Sequence, residues 1–141
     1  MTIYAVLDTN VLVSAMLTRK TDAATSRVLK AVVDLNIVPL YNHQILKEYE
    51  IILHRKKFEF SESQIEQIIS IITDLGISSD RVKTDEYFRD ESDIVFYEVA
   101  LSKNGAYVVT GNIKDFPRKP IVVTPSEMVQ VLEDAGLIER L

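Results

Sequence analysis

The chain has 141 residues, 47% of them hydrophobic, with four glycines, four prolines and no cysteine, which suits one domain over residues 1–141 with its own core and excludes disulfides and thiolate metal sites. A formal net charge of −5 argues against a protein that grips nucleic acid by bulk positive charge. No apolar run approaches the roughly 20 residues of a membrane helix, and Asp8 arrives too early for a signal peptide, so a cytoplasmic location without membrane attachment is expected.

In chain order, Thr2–Leu7 is a short apolar run and reads as a buried strand. Thr9–Leu17 has helical spacing, with Asp8, Thr9 or Asn10 available as its cap. A helix is predicted over Ala23–Asp34, with Val28, Leu29, Val32 and Val33 along one side, then a brief strand at Ile37–Tyr41 around Pro39. His43–Arg55 reads as an amphipathic helix with Ile45, Tyr49, Ile52 and Leu53 as its stripe. Ser61–Leu75 is the clearest helix: Ser61 and Gln64 fit a capping box, and Gly76 stands where a left-handed stop belongs. Glu91–Ser102 is read as helix, Ala106–Thr110 and Ile121–Thr124 as strands, and Ser126–Asp134 as a closing helix. Strands alternating with helices define an α/β domain with a mainly parallel sheet of four or five short strands.

In such sheets ligands bind beyond the carboxyl ends of the strands, near the topological switch point. Asp8 directly follows the first strand, and Gly111-Asn112-Ile113-Lys114-Asp115 directly follows Ala106–Thr110. If those strands are neighbours, Asp8, Asn112 and Asp115 share one rim. Each acid also has an ordinary reading: Asp8 as a helix cap, Asp90, Glu91 and Asp93 as an acidic first turn, Asp115 as a turn residue near Pro117. Glu48 lies beside an apolar stripe, three residues after Ile45 and four before Ile52, where a half-buried carboxylate needs a compensating partner. Converging Asp, Glu and Asn oxygens suit a hard ion such as Mg²⁺ or Mn²⁺, which supports phosphodiester hydrolysis without a His, Cys or Ser nucleophile. His43 and His54 are the only histidines, and their spacing suggests no zinc site; surface or core packing is expected of both.

Four stretches, in order, resemble the PIN-domain family, particularly the VapC-like toxins of type II toxin–antitoxin systems. They are Val6-Leu7-Asp8-Thr9-Asn10-Val11-Leu12-Val13-Ser14, Ile45-Leu46-Lys47-Glu48-Tyr49, Arg89-Asp90-Glu91-Ser92-Asp93-Ile94-Val95 and Val108-Val109-Thr110-Gly111-Asn112. The likeness extends nearly to the closing Thr124-Pro125-Ser126-Glu127-Met128 segment. The resemblance implies a three-layer α/β/α sandwich, Mg²⁺ or Mn²⁺ dependence and endoribonuclease activity, with Asp8, Glu48, Asp93 and Asp115 as catalytic acids. It implies metal ligation by these four and by Asn112, with Thr9, Asn10, Asp90 and Thr110 orienting them. One departure is Asn112, where the family commonly has Asp; an amide oxygen carries no charge, and Asp115 stands three residues on to supply part of the function. Implied partners are RNA, an antitoxin protein and a second copy of the chain.

Two basic groups, Arg55-Lys56-Lys57 and Lys114, Arg118, Lys119, suit flanking phosphates or plain solvated surface equally. Two other functions compete: a non-catalytic PIN-like regulatory or binding module, and a phosphatase with Asp8 as nucleophile. The second usually needs another Asp two residues on, where this chain has Asn10. There is no Gly-rich phosphate loop.

Overall fold

The computed structural model describes residues 1–141. In β1 (Ile3–Leu7) the side chains of Ile3, Ala5, Val6 and Leu7 are all buried. Successive residues point to opposite faces, so a strand buried at adjacent positions is covered on both and belongs in the middle of a sheet. β1 pairs in parallel with β2 (Ile37–Tyr41) on one side and β4 (Tyr107–Val109) on the other. β3 (Ile77–Ser78) and β5 (Val122–Val123) complete an all-parallel sheet of order β3-β2-β1-β4-β5. With α1 (Thr9–Leu17), α2 (Ala24–Val33), α3 (His43–Leu53), α4 (Glu62–Leu75), α5 (Ile94–Leu101) and α6 (Pro125–Asp134), this is the expected α/β/α sandwich. The chain winds outward from β1 to β3 and then crosses back to β4, so the winding reverses between β1 and β4. Their carboxyl ends therefore open a crevice, the usual place for a ligand in this class of sheet.

The local chemistry explains most boundaries. Asp8 caps α1, accepting from Thr9 N, and Ser61 with Gln64 forms the capping box of α4. Thr124 and Glu127 form a second box at α6, whose first residue is Pro125 rather than Ser126, because the fixed φ of proline suits the first helical position. α5 is apolar nearly all round, and Val95 through Ala100 are buried, as a helix without a wet face must be. It begins only at Ile94; Glu91–Asp93 forms a 3₁₀ turn instead of the first turn of the predicted helix.

One strand goes beyond the expected elements, the predicted strand around Pro39 proves internal, and one expectation, at Gly76, is overturned. β3 has just two residues, both exposed, and so carries no hydrophobic period that a sequence could display. Pro39 sits inside an internal strand, which is tolerated because β3 pairs only with Leu40 and Tyr41 and leaves that flank of Pro39 without a partner. Gly76 is not a left-handed stop: its φ of −101° and ψ of −176° are extended backbone. What requires glycine there is space, since a Cβ would lie 2.4 Å from both the Ile72 and the Pro39 carbonyl oxygens.

Candidate active site at the carboxyl rim of the sheet

Strand pairing brings the first and fourth motifs together. Leu7 stands opposite Val109, and Asp8 N donates to Val109 O at 2.9 Å. The Asp8 side chain, 7% exposed, accepts from Thr9 N at 2.8 Å on Oδ1. Its Oδ2 accepts from Asn10 Nδ2 at 3.1 Å and from Thr110 Oγ1 at 2.8 Å. A carboxylate has about four acceptor positions, two on each oxygen, so Oδ2 is saturated and Oδ1 keeps one free.

The groups that hold Asp8 are themselves held. Asn10 Oδ1 accepts from Gly111 N at 2.9 Å, so this one side chain spans the crevice from α1 to the loop after β4. Thr110, fully buried, accepts from Asn112 N at 3.0 Å while donating to Asp8. Thr9 Oγ1 is buried without any hydrogen-bond partner. Such a group costs about 1–3 kcal/mol, an expense tolerated more readily beside a polar site than in a core.

Glu48 reaches the same rim from α3. The next residue, Tyr49, is buried and donates its hydroxyl to Leu7 O at 2.6 Å, pinning α3 to the end of β1 one residue before Asp8. Burial, and then the Asp8 charge, hold the Tyr49 phenol far above its ordinary pKa, so it remains a donor at any working pH. Sequence reading placed Tyr49 in the apolar stripe and missed this role. Tyr rather than Phe at a position that faces a strand end was the available signal.

Asp93 joins the two ends of the arrangement. Its carboxyl is pushed up to about 7, first by burial and then by the charges of Asp8, Asp90, Asp115 and Glu48. Four carboxylates from four separate stretches of chain therefore act on one. Asp8 is also raised, by burial above all and in small part by Glu48, against the pull of its hydrogen bonds from Thr110, Thr9 and Asn10. No ion pair with Lys, Arg or His relieves any of the five.

Asp90 differs from the rest. It is exposed and caps the 3₁₀ turn, accepting from Ser92 N and Ser92 Oγ, both at 2.9 Å, and these bonds lower its pKa. Asp90 is thus a cap ahead of the acidic turn in which it was expected, while its charge still reaches Asp93. Asp115 lies half-buried in the 3₁₀ turn Ile113–Asp115, and Asn112 is exposed just before it. No three acids or histidines lie close enough to one point to hold a single ion in this arrangement. The rim acids share an electrostatic field rather than a closed coordination shell.

The basic groups divide. Lys119 pairs with Glu86 at 3.1 Å, whereas Arg55, Lys56, Lys57, Lys114 and Arg118 are exposed. Both histidines lie on the surface of α3 and its end; His54 contacts Glu50 and Glu62, so neither packs in the core.

A family model described as PIN domain matches residues 4–114. The chain belongs to the PIN domain family. The match takes in Asp8, Glu48, Asp90, Asp93, Thr110 and Asn112 and stops one residue before Asp115. PIN domains are typically nucleases, and they generally use divalent metals. A search of curated proteins gave no match.

The donor chemistry fits such an ion. Every candidate ligand is a hard oxygen, the site carries excess negative charge without a protein cation, and Asp8 Oδ1 keeps an acceptor position. Glu48, Asp93 and Asp115 take no part in the hydrogen bonds that tie down Asp8 and Asp90, so their side chains are free to turn toward a cation.

Proposed function

We propose that this PIN domain, spanning residues 1–141 as one unit, is a metal-dependent endoribonuclease. The observation that carries the reading is the Asp93 carboxyl, pushed up to about 7 by burial and four uncompensated acids at the switch point of the sheet. Burial first and like charge second disfavour the ionised carboxyl, and a divalent cation at the rim would offset both.

Asp8, Glu48 and Asp93 are the principal ligands in this reading. Asn112 contributes a carbonyl oxygen and Asp115 restores the charge that Asn112 lacks. Mg²⁺ or Mn²⁺, when bound, supplies Lewis acidity toward the phosphodiester and lowers the pKa of its own water.

The chain's residues do the rest. Thr110, Asn10 and Thr9 N fix the Asp8 rotamer, so that its free Oδ1 position faces a constant direction. Raised to about 7, the Asp93 carboxyl is partly protonated near neutrality while the site is uncompensated, and a cation there would favour its ionised form. Exposed Lys114, Arg118 and the Arg55-Lys56-Lys57 run offer phosphate contacts that position RNA without reading its bases.

A phosphatase that uses Asp8 as nucleophile is disfavoured, because Asn10 stands where such enzymes place an acid. The non-catalytic module is favoured by Asn112 and by the open spacing of the rim acids, which hold no ready-made ion site. The resemblance to VapC-like toxins extends the proposal to a cytoplasmic toxin restrained by an antitoxin and acting as a homodimer.

The test is cleavage of end-labelled single-stranded and structured RNAs in Mg²⁺, Mn²⁺ or EDTA, beside an identically purified Asp8→Asn variant. Cleavage by the parent alone, abolished by EDTA, supports the reading. Equal cleavage by both proteins, or none by either, counts against it.

A further inference from the structure

Residues 79–90, between β3 and the 3₁₀ turn at Glu91–Asp93, contain no helix or strand, yet they deliver Asp90 and Asp93 to the rim. An irregular segment has no ladder to fix its path, so side chains must fix it. Here much of that task falls to one buried acid. Glu98, on α5, is 6% exposed and is absent from the rim cluster. Its Oε1 accepts from Arg81 Nε at 2.8 Å and lies 2.7 Å from Arg81 Nη2, while Oε2 accepts from Thr84 N at 2.7 Å. The backbone repeats the tie, Val82 N donating to Glu98 O at 3.0 Å.

Arg81 also reaches outward: its Nη1 donates to Gln44 Oε1 at 2.8 Å, and Gln44 is in the first turn of α3. Gln44 and Glu48 are four residues apart, and therefore neighbours on one helix face. A continuous chain, Glu98–Arg81–Gln44, thus runs from the helix that starts beside Asp93 to the helix that carries Glu48. Phe88 anchors the far end of the segment, edge-on to Tyr97 and to Phe116 at 5.5 and 5.8 Å between ring centroids.

Glu98 is buried while its partner Arg81 is exposed, and an ion pair of this kind contributes little to stability by itself. What a guanidinium adds is a planar fork that holds several acceptors at fixed angles. We propose that Arg81 and Glu98 are positioning residues of the metal site, setting the spacing between Glu48 on α3 and Asp93 at α5. The proposal rests on the metal-site reading above.

The test measures Mn²⁺ affinity by calorimetry on the full chain, together with the melting temperature in EDTA. The variants are Gln44→Ala, Arg81→Lys and the apolar pair Arg81→Met with Glu98→Met. Gln44 is exposed, so Gln44→Ala removes the α3 arm, with one long surface contact from Asn42, and leaves the melting temperature nearly unchanged. Each variant is expected to bind Mn²⁺ about tenfold more weakly, as loss of groups that orient ligands typically does. Folded Gln44→Ala and Arg81→Lys proteins that bind Mn²⁺ within about twofold of the parent, against the 10–100-fold usual for such losses, overturn the clamp alone. A parent that binds no Mn²⁺ overturns the metal site and the clamp with it.

Discussion

Replacing Asp93 by Asn should stabilise the metal-free protein at alkaline pH while destroying its response to metal. The Asp93 carboxyl ionises at about 7 in the folded chain against 3.8 for the unperturbed group. A raised folded-state value means that the unfolded chain sheds this proton first. Folding is therefore penalised increasingly as pH rises from 3.8 through 7, and the penalty is complete above that. Three pH units correspond to about 4 kcal/mol in full. Asp93 is only half-buried, so screening by water and salt reduces this to about 1–2 kcal/mol. For a chain of this size that is a rise of roughly 3–7 °C in melting temperature. Asn retains the polar side chain at the N-cap of α5, which makes no capping hydrogen bond to lose. Thermal melts in EDTA should show Asp93→Asn gaining over the parent near pH 8 and converging with it only well below 3.8, where Asp93 is protonated in both states. A variant less stable than the parent at pH 8, or a difference that does not vary with pH, would refute the reasoning.

Other perturbations follow from the same contacts. Thr110→Val removes a hydrogen bond to a buried carboxylate and should cost about 1.5–3 kcal/mol by denaturant unfolding, with Mn²⁺ affinity falling as well. Tyr49→Phe removes the tie between α3 and the end of β1, which predicts a loss of about 1 kcal/mol in the same assay. Gly76→Ala forces a Cβ against two backbone oxygens and should destabilise by about 3 kcal/mol, far more than a propensity change. Because Asp93 and Asp8 are both raised, metal must displace protons to bind, and the rise in melting temperature given by Mn²⁺ should grow between about pH 6 and pH 8.

Much of the fold was written in local pattern. β1, α1 and α4 carry their own periods and caps, and α1 and β2 begin and end where the sequence put them. What lay beyond reading depends on long-range contact. β3 exists because Leu40 and Tyr41 offer an edge, not because Ile77-Ser78 has strand character. Gly76 is glycine because another strand's carbonyl passes close by. Asp8 and Asp115 were legible as positions after strands and Glu48 as an acid beside an apolar stripe, but their coupling was not, because it required β1 and β4 to be neighbours. Tyr49 and Glu98 were hidden for a related reason: each bonds to a partner distant in sequence or set in an irregular segment.

The account rests on the rim acids closing around a cation, and anomalous diffraction from a Mn²⁺-soaked crystal addresses that directly. It predicts one strong peak with ligand oxygens of Asp8 and Asp93 at about 2.1 Å, and with Glu48, Asn112 or Asp115 turned toward it. A crystal with no peak at the crevice between β1 and β4, in saturating Mn²⁺ above pH 7, would contradict it.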